Sequence, residues 1–323
     1  MPASVPRLVA DIGGTNARFA LADSDGALHD MRSLGTHQHA TLLDAARSYL
    51  AQCTGKPRHA CFAVAGPVHG DRVSLTNHPW SFSVSDTRAA LGLDDLRVIN
   101  DFEAIAIALP SLAPAGLRQL GGGSPVAGRP KAVLGPGTGL GVAQLIETRA
   151  GFEPIATEGG HASIGPSDAT ELRLLGALLR SGEGVYREAL LSGPGLERIY
   201  RIICEESGAD NPGLRAAEIQ ARAVDGSNAL CTAALEQFCA FLGTAAGDQA
   251  LCCGAEGGVY IAGGIVPRFG PFLESSRFRQ RFEEKGPRSD YMRRIPVFLI
   301  ETANPGLIGA ARAALPPKME TQS

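Results

Sequence analysis

Two glycine-rich turns and a few isolated carboxylates carry the chemistry this sequence could perform. The turns are Asp11-Ile12-Gly13-Gly14-Thr15-Asn16 and Gly135-Pro136-Gly137-Thr138-Gly139-Leu140-Gly141. Each follows a short apolar run (Leu8 to Ala10, Ala132 to Leu134) and precedes another (Phe19 to Ala22, Val142 to Ile146), so each reads as strand, tight turn, returning strand. Glycine permits positive φ and close backbone approach, so such a turn can aim several N–H groups at one anion. Two of them can grip one polyphosphate from both sides. A hairpin rather than a helix after each turn argues against a dinucleotide-binding fold, whose glycines open a helix. A P-loop is also excluded, because Gly55-Lys56 runs into Pro57.

Asp11 opens the first turn. A carboxylate among phosphate-binding amides makes sense if a divalent cation or its water shell lies between it and the phosphates; alternatively it only forms the turn. Thr15, Asn16 and Thr138 add hydroxyl and amide donors. Asp101 follows the strand Arg97-Val98-Ile99-Asn100 and precedes a helical segment, a position where α/β sheets place ligands. It suits the aspartate that takes a proton from a hydroxyl nucleophile in phosphoryl transfer, and equally an N-cap for a helix beginning at Phe102. Glu158-Gly159-Gly160-His161 pairs a carboxylate with an imidazole, groups that hold several hydroxyls in fixed directions. A zinc reading of that segment lacks further ligands nearby in sequence. Glu188, on local sequence, is a solvated helix face, and Trp80 in Asn77-His78-Pro79-Trp80 is a packing residue.

The elements that must position these residues fall into two similar runs. In the first, strands are expected at Leu8 to Ile12, Arg18 to Asp23, Ala27 to Gly35, His59 to Ala65, Arg72 to Thr76 and Leu96 to Asn100. Helices are expected at Leu42 to Cys53 and Asp86 to Leu91. The alternation predicts an α/β unit with a mostly parallel sheet. Pro110 to Pro130 reads as a connection between lobes or as a long surface loop. The pattern then restarts with strand, turn and strand at Lys131 to Glu147. Several helices follow, of which Asn228 to Leu251 is the longest and belongs in the core, and then two strands, G-G-V-Y-I-A-G-G-I ending in a diglycine and I-P-V-F-L-I. A last apolar helix covers Leu307 to Leu315. Two strand-turn-strand units imply an internal duplication.

At 323 residues, with 44% hydrophobic and 20% charged residues, the composition is that of a globular protein. A net charge of −3 and no basic run longer than Arg293-Arg294 speak against nucleic acid. No apolar segment resembles a signal peptide, and apolar stretches break well before about 18 residues, so a cytoplasmic protein without membrane contact is expected. Seven cysteines, an odd number with no C-x-x-C pair, read as reduced thiols, with Cys61, Cys231 and Cys239 buried as small hydrophobes.

V-A-D-I-G-G-T-N-A-R, L-T-N-H-P-W, V-I-N-D-F, G-P-G-T-G-L-G, E-G-G-H, L-S-G-P-G-L, V-Y-I-A-G-G-I-V-P-R-F and N-P-G-L-I-G-A occur in this order. Together they span nearly the whole chain and resemble bacterial ATP-dependent glucokinases of the hexokinase, Hsp70 and actin-like superfamily. The resemblance implies an actin-like ATPase (ribonuclease H-like) fold of two lobes with a cleft between them. It implies a small α/β domain from residues 1–110 with 302–323, and a larger α+β domain from 111–301. It implies a homodimer that uses ATP and Mg²⁺ to phosphorylate the 6-hydroxyl of glucose, giving glucose 6-phosphate and ADP in glycolysis. By motif, Ala10, Asp11, Ile12, Gly13, Gly14 and Thr15 are similar to the first phosphate segment; Gly137, Thr138 and Gly139 to the second; and Ile261 to Gly264, with Gly263 and Gly264, to the adenosine segment. Asn100, Asp101, Glu158, His161 and Glu188 match the sugar contacts, with Asp101 as the base and Asp11 reaching magnesium through water. The cysteine cluster and N-terminal helix-turn-helix of ROK repressors are missing. Two rivals are a sugar sensor without turnover, which has no need of Asp101, and a partner-moving ATPase, which has no use for E-G-G-H.

Overall fold

The apolar run Leu8-Val9-Ala10 builds the first strand, β1 (Arg7–Ile12), whose alternating sides turn Leu8, Ala10 and Ile12 into one core and Val9 into another. The computed structural model describes residues 6–313; the last residues of the expected final helix, 314 and 315, lie outside them. Packing divides the chain into two units, one running to Ala113 and resuming at Thr302, the other covering Pro114–Glu301.

In the first unit β1 is followed by β2 (Asn16–Ala22), β3 (Leu28–Gly35), α1 (Leu42–Leu50), β4 (His59–Val64), β5 (Arg72–Ser74), β6 (Ser81–Ser83), α2 (Val84–Ala90), β7 (Asp95–Asn100) and α3 (Asp101–Ala108). The sheet order is β3-β2-β1-β4-β7, antiparallel across β3-β2-β1 and parallel across β1-β4-β7. The expectation of a mostly parallel sheet is therefore corrected to a mixed one. A turn as short as Gly13 to Thr15 can join only antiparallel neighbours. One face of the sheet buries Phe19, Phe62, Tyr49 and Trp80; the other buries Cys61, Ala63 and Ile99. Trp80 donates its indole N–H to the His39 carbonyl (3.3 Å), as suits a packing residue.

The second unit contains β8 (Leu117–Gln119), β9 (Lys131–Pro136), β10 (Leu140–Thr148), β11 (Gly151–Thr157), α4 (Ala169–Arg180), α5 (Arg187–Leu190), α6 (Gly193–Ser207), α7 (Ala216–Val224), α8 (Ala229–Cys253), β12 (Val259–Ile261), α9 (Gly270–Ser275), α10 (Phe278–Glu283), α11 (Ser289–Arg294) and β13 (Val297–Ile300). Its sheet, β11-β10-β9-β12-β13-β8, repeats the first in order and direction over the first five strands. That repeat is the duplication expected from the two turns. The segment Pro110–Pro130 is more than a loop: it contributes β8, which pairs antiparallel with β13. Three residues are too few to show an alternating pattern.

The helix α8 starts at Asn228, whose side chain accepts from the Leu230 and Cys231 amides, and ends at Gly254 with φ 63°. By length and composition it could cross a membrane, contrary to the expectation that apolar stretches break earlier. In this structure 72% of its apolar window is buried in the second unit's core. Its Gly243 and Gly247 let the Phe278 and Phe282 carbonyls of α10 come against the helix, a contact any side chain would block. The last helix, α12 (Pro305–Ala313), returns to the first unit and packs on α3 and β1. There Gly309 lies so close to the Ala104 carbonyl that no Cβ fits.

Candidate active site

The parallel strands β1, β4 and β7 end in register, with Ile12 beside Val64 and Val64 beside Asn100, so their C-terminal ends form one edge of the first unit. Asp11 and Asp101 both stand at this edge. Asn100, not Asp101, caps α3: its side-chain oxygen accepts from the Phe102 and Glu103 amides (2.9 and 3.2 Å), and its amide donates to the Gly66 carbonyl (3.1 Å). The expected N-cap is thereby corrected by one residue, because Asn100 still has extended backbone (ψ 150°) while Asp101 is already helical. Asp101 Oδ1 shares in that cap, accepting from the Phe102 amide (3.0 Å), and its half-buried carboxylate stands within reach of the Asp11 charge. Burial, then the Asp11 charge, pushes its pKa up to about 7. Asp11 is also raised by burial, against the opposing pull of Arg18, whose guanidinium lies 3.6 Å away across the hairpin. Gly306 at the start of α12 makes room for the Asp11 carboxylate: a Cβ there would lie 2.9 Å from Cγ.

Thr36 fixes the first turn, its hydroxyl donating to the Gly14 carbonyl (2.8 Å) and its amide to the Thr15 carbonyl (3.0 Å). Neither Gly13 nor Gly14 has positive φ, and a Cβ at either would lie 3.7 Å from the nearest atom beyond its chain neighbours. The second turn behaves likewise at Gly137, where the nearest atom is 3.9 Å away. The sequence expectation that these glycines supply positive φ is therefore corrected. They leave space beside the backbone that nothing in the chain fills.

β9 and β12 run parallel, with Leu134 beside Ile261, and carry the second turn and the diglycine to one edge of the second unit. Gly263 has φ 91° and sits so tightly on the Pro136 carbonyl that a side chain is excluded, whereas Gly264 faces open space. The Gly137 carbonyl accepts from Gly193 N–H (2.9 Å) at the start of α6, where Ser192 is the N-cap. L-S-G-P-G and the diglycine thus buttress the second turn, while Thr138 stands at its tip.

Glu158, His161 and Glu188 come together in the same unit. His161 Nδ1 lies 3.8 Å from Glu158 Oε2 and Nε2 lies 3.9 Å from Glu188 Oε1, too long for direct hydrogen bonds, so these polar atoms are open to a ligand. The His161 ring stacks on Tyr186, with centroids 5.4 Å apart. Glu188 is not the solvated helix face its local sequence suggests. α5 is a four-residue helix that turns Glu188 toward the second turn, where Oε2 accepts from Leu140 N–H at 2.8 Å. The two glycines of E-G-G-H serve packing, since side chains there would strike Val142 and the Leu140 carbonyl. Behind them Arg187 donates to the Gly159 carbonyl (3.4 Å) and faces Asp248 (3.7 Å), which in turn binds Lys285 (2.6 Å).

A family model described as Glucokinase matches residues 8–316. The chain belongs to the glucokinase family. Among relatives, a glucokinase of Chromobacterium violaceum is 49% identical over 313 residues, covering 96% of this chain and 90% of that protein. Among solved structures, a glucokinase from an Antarctic psychrotroph superposes with a TM-score of 0.86 at 40% identity, covering 96% of this chain and 98% of that one. A glucokinase from Balamuthia mandrillaris, solved in complex with glucose, has a TM-score of 0.81 at 23% identity over 96% of this chain and 93% of its own. The glucokinase fold is the actin-like ATPase fold implied by the motifs.

Sequence reasoning about this glucokinase-family chain missed Arg18, Thr36, Tyr186, Arg187, Asp248 and Gly306. Arg18 had a signal, for a hairpin turning after Ile12 sets it opposite Asp11. The others act across long sequence separations and leave no local mark. No group of three His, Cys, Asp or Glu side chains able to hold a metal occurs among the described residues. A divalent cation beside Asp11 would therefore take most of its ligands from phosphate and water, as magnesium does in nucleotide sites.

Proposed function

We propose that this chain transfers the γ-phosphoryl group of ATP to the 6-hydroxyl of glucose, giving glucose 6-phosphate and ADP at the head of glycolysis, with Asp101 as general base. The observation that carries the reading is the half-buried Asp101 carboxylate, at the strand edge that holds the first turn, raised to about 7 by burial and the Asp11 charge. A base with that affinity is half-ionised near neutral pH and can take the hydroxyl proton as the oxygen attacks phosphorus. Asn100 orients the same hydroxyl region, and Glu158, His161 and Glu188 hold the remaining sugar hydroxyls through the open valences of their polar atoms.

The phosphates lie against Gly13, Gly14, Thr15, Gly137, Thr138 and Gly139, whose amides and hydroxyls stabilise the charge that develops on the transferred group. Ala10 and Ile12 fix the strand that presents the first turn, and Gly263 with Gly264 flanks the adenosine. Asp11 would hold magnesium through its bound water, and the ion would neutralise phosphate charge. The two units serve as the small and large domains of the fold. The family resemblance leads to a homodimer in the cytoplasm, which sedimentation of the purified chain tests directly.

The decisive assay couples ADP release to Mg-ATP with glucose, mannose, fructose or no sugar. Strong glucose-dependent release is expected. Release without sugar would instead identify a partner-moving ATPase, and glucose binding without turnover a sensor.

A further inference from the structure

Gly139 and Gly137 stand two residues apart in one turn, yet the space beside them differs. A methyl group on Gly137 meets nothing nearer than 3.9 Å, while one on Gly139 would lie 2.5 Å from Glu188 Oε2 and 3.1 Å from its Cδ. Gly139 is not among the residues with positive φ, so its backbone does not itself exclude a side chain. What stands in the way is the free end of a side chain, which yields more easily than a strand. If it yields, the Glu188 carboxylate leaves the Leu140 amide that it accepts from at 2.8 Å, and its other oxygen leaves the neighbourhood of His161 Nε2 at 3.9 Å.

We propose that Gly139 is a positioning residue for the sugar: lacking a side chain, it seats Glu188 on the Leu140 amide and so sets the spacing of Glu188 and His161. The inference rests on the reading of Glu188 and His161 as sugar contacts. It makes sugar affinity depend on the shape of the turn assigned to phosphate. Reciprocity of binding free energies then requires that a nucleotide reshaping the turn and a sugar engaging Glu188 alter each other's affinity.

Calorimetric titration of glucose into the nucleotide-free full chain tests this. Gly139→Ala is expected to weaken glucose binding by about 10-fold, the size of one lost charge-assisted hydrogen bond. Gly137→Ala is expected to leave glucose affinity within about twofold while raising the KM for ATP. In the Gly139→Ala background, Glu188→Asp, whose carboxylate is one methylene shorter, should cost less affinity than it does in the wild type. Wild-type glucose affinity in Gly139→Ala, or strictly additive losses, would overturn the proposal. Should Gly139→Ala fail to fold, Gly139→Ala with Glu188→Ala removes the obstruction and is expected to fold; failure of both overturns it. His161→Ala separates the underlying reading. Unchanged glucose binding there removes the sugar-contact assignment and this inference with it, whereas loss there with retention in Gly139→Ala removes the inference alone.

Discussion

The two glycine turns occupy the same place in two sheets of the same strand order, yet they are equipped differently. Four residues separate the paired Ile12 and Ala17, and three separate the paired Pro136 and Leu140, so the second turn is one residue shorter. The residue before the end of β1 is Asp11; its counterpart in β9 is Gly135. The first turn thus brings its own carboxylate, close enough to raise the pKa of Asp101. The second has none of its own and receives one from α5, Glu188, which binds the Leu140 amide rather than another acid. Duplication preserved the frame of strands while the charged groups were placed anew. A half-buried acid pair marks one edge, and a carboxylate wired to backbone and imidazole marks the other.

The comparison breaks most readily at Asp101. If the acid pair is the proton-handling half, Asp101→Ala lowers kcat by at least about 100-fold while circular dichroism stays that of the folded protein. Near-normal turnover would move the base elsewhere and leave the pair as a packing curiosity.

A second contrast sharpens the role of the glycines themselves. A Cβ on Gly13 meets only the Asn16 carbonyl, at 3.7 Å, so Gly13→Ala should raise the KM for ATP by about 10-fold with the melting temperature unmoved. Gly263 has φ 91° and presses on the Pro136 carbonyl, so Gly263→Ala should cost about 1–3 kcal/mol of stability, seen as a lower melting temperature. Equal thermal losses in both variants would mean that the first turn is as constrained as the diglycine.

These contrasts also show what the sequence could reveal. The hairpins around the turns, the strands ending at Ile12 and Asn100 and the helix α8 follow from apolar period and punctuation, and the structure has them. The place of Asp101 at the end of a strand was legible from the run Arg97 to Asn100 before it. The facing of Glu188, which the motifs named but local sequence read as a solvated helix face, was not, since α5 is a single turn set by contact with Leu140 rather than by periodicity. The glycines were legible as glycines only. Whether each serves φ, packing or empty space depends on atoms tens of residues away, as with Gly306 against Asp11 or Gly309 against Ala104.

A smaller effect tests the acid pair from the other side. Because the Asp11 charge helps to raise Asp101, Asp11→Asn should shift the rising limb of kcat/KM, centred near 7 in the wild type, to lower pH, whatever the variant loses in rate. A limb that stays in place would assign the whole shift to burial.

The smallest effect is one of stability and follows from the same carboxylate. Asp101 has a folded pKa of about 7 against an ordinary value of 3.8, so the unfolded chain ionises first as pH rises. Stability falls between about pH 4 and pH 7 and is then flat for this group, because folding must either keep the proton or bury the charge. Asp101→Asn has no charge to bury. Its melting temperature should exceed that of the wild type by a few degrees at pH 8, and the difference should shrink toward zero by pH 4. A pH-independent gain in Asp101→Asn would mean that packing rather than charge strains this edge, and the contrast between the two turns would lose its electrostatic basis.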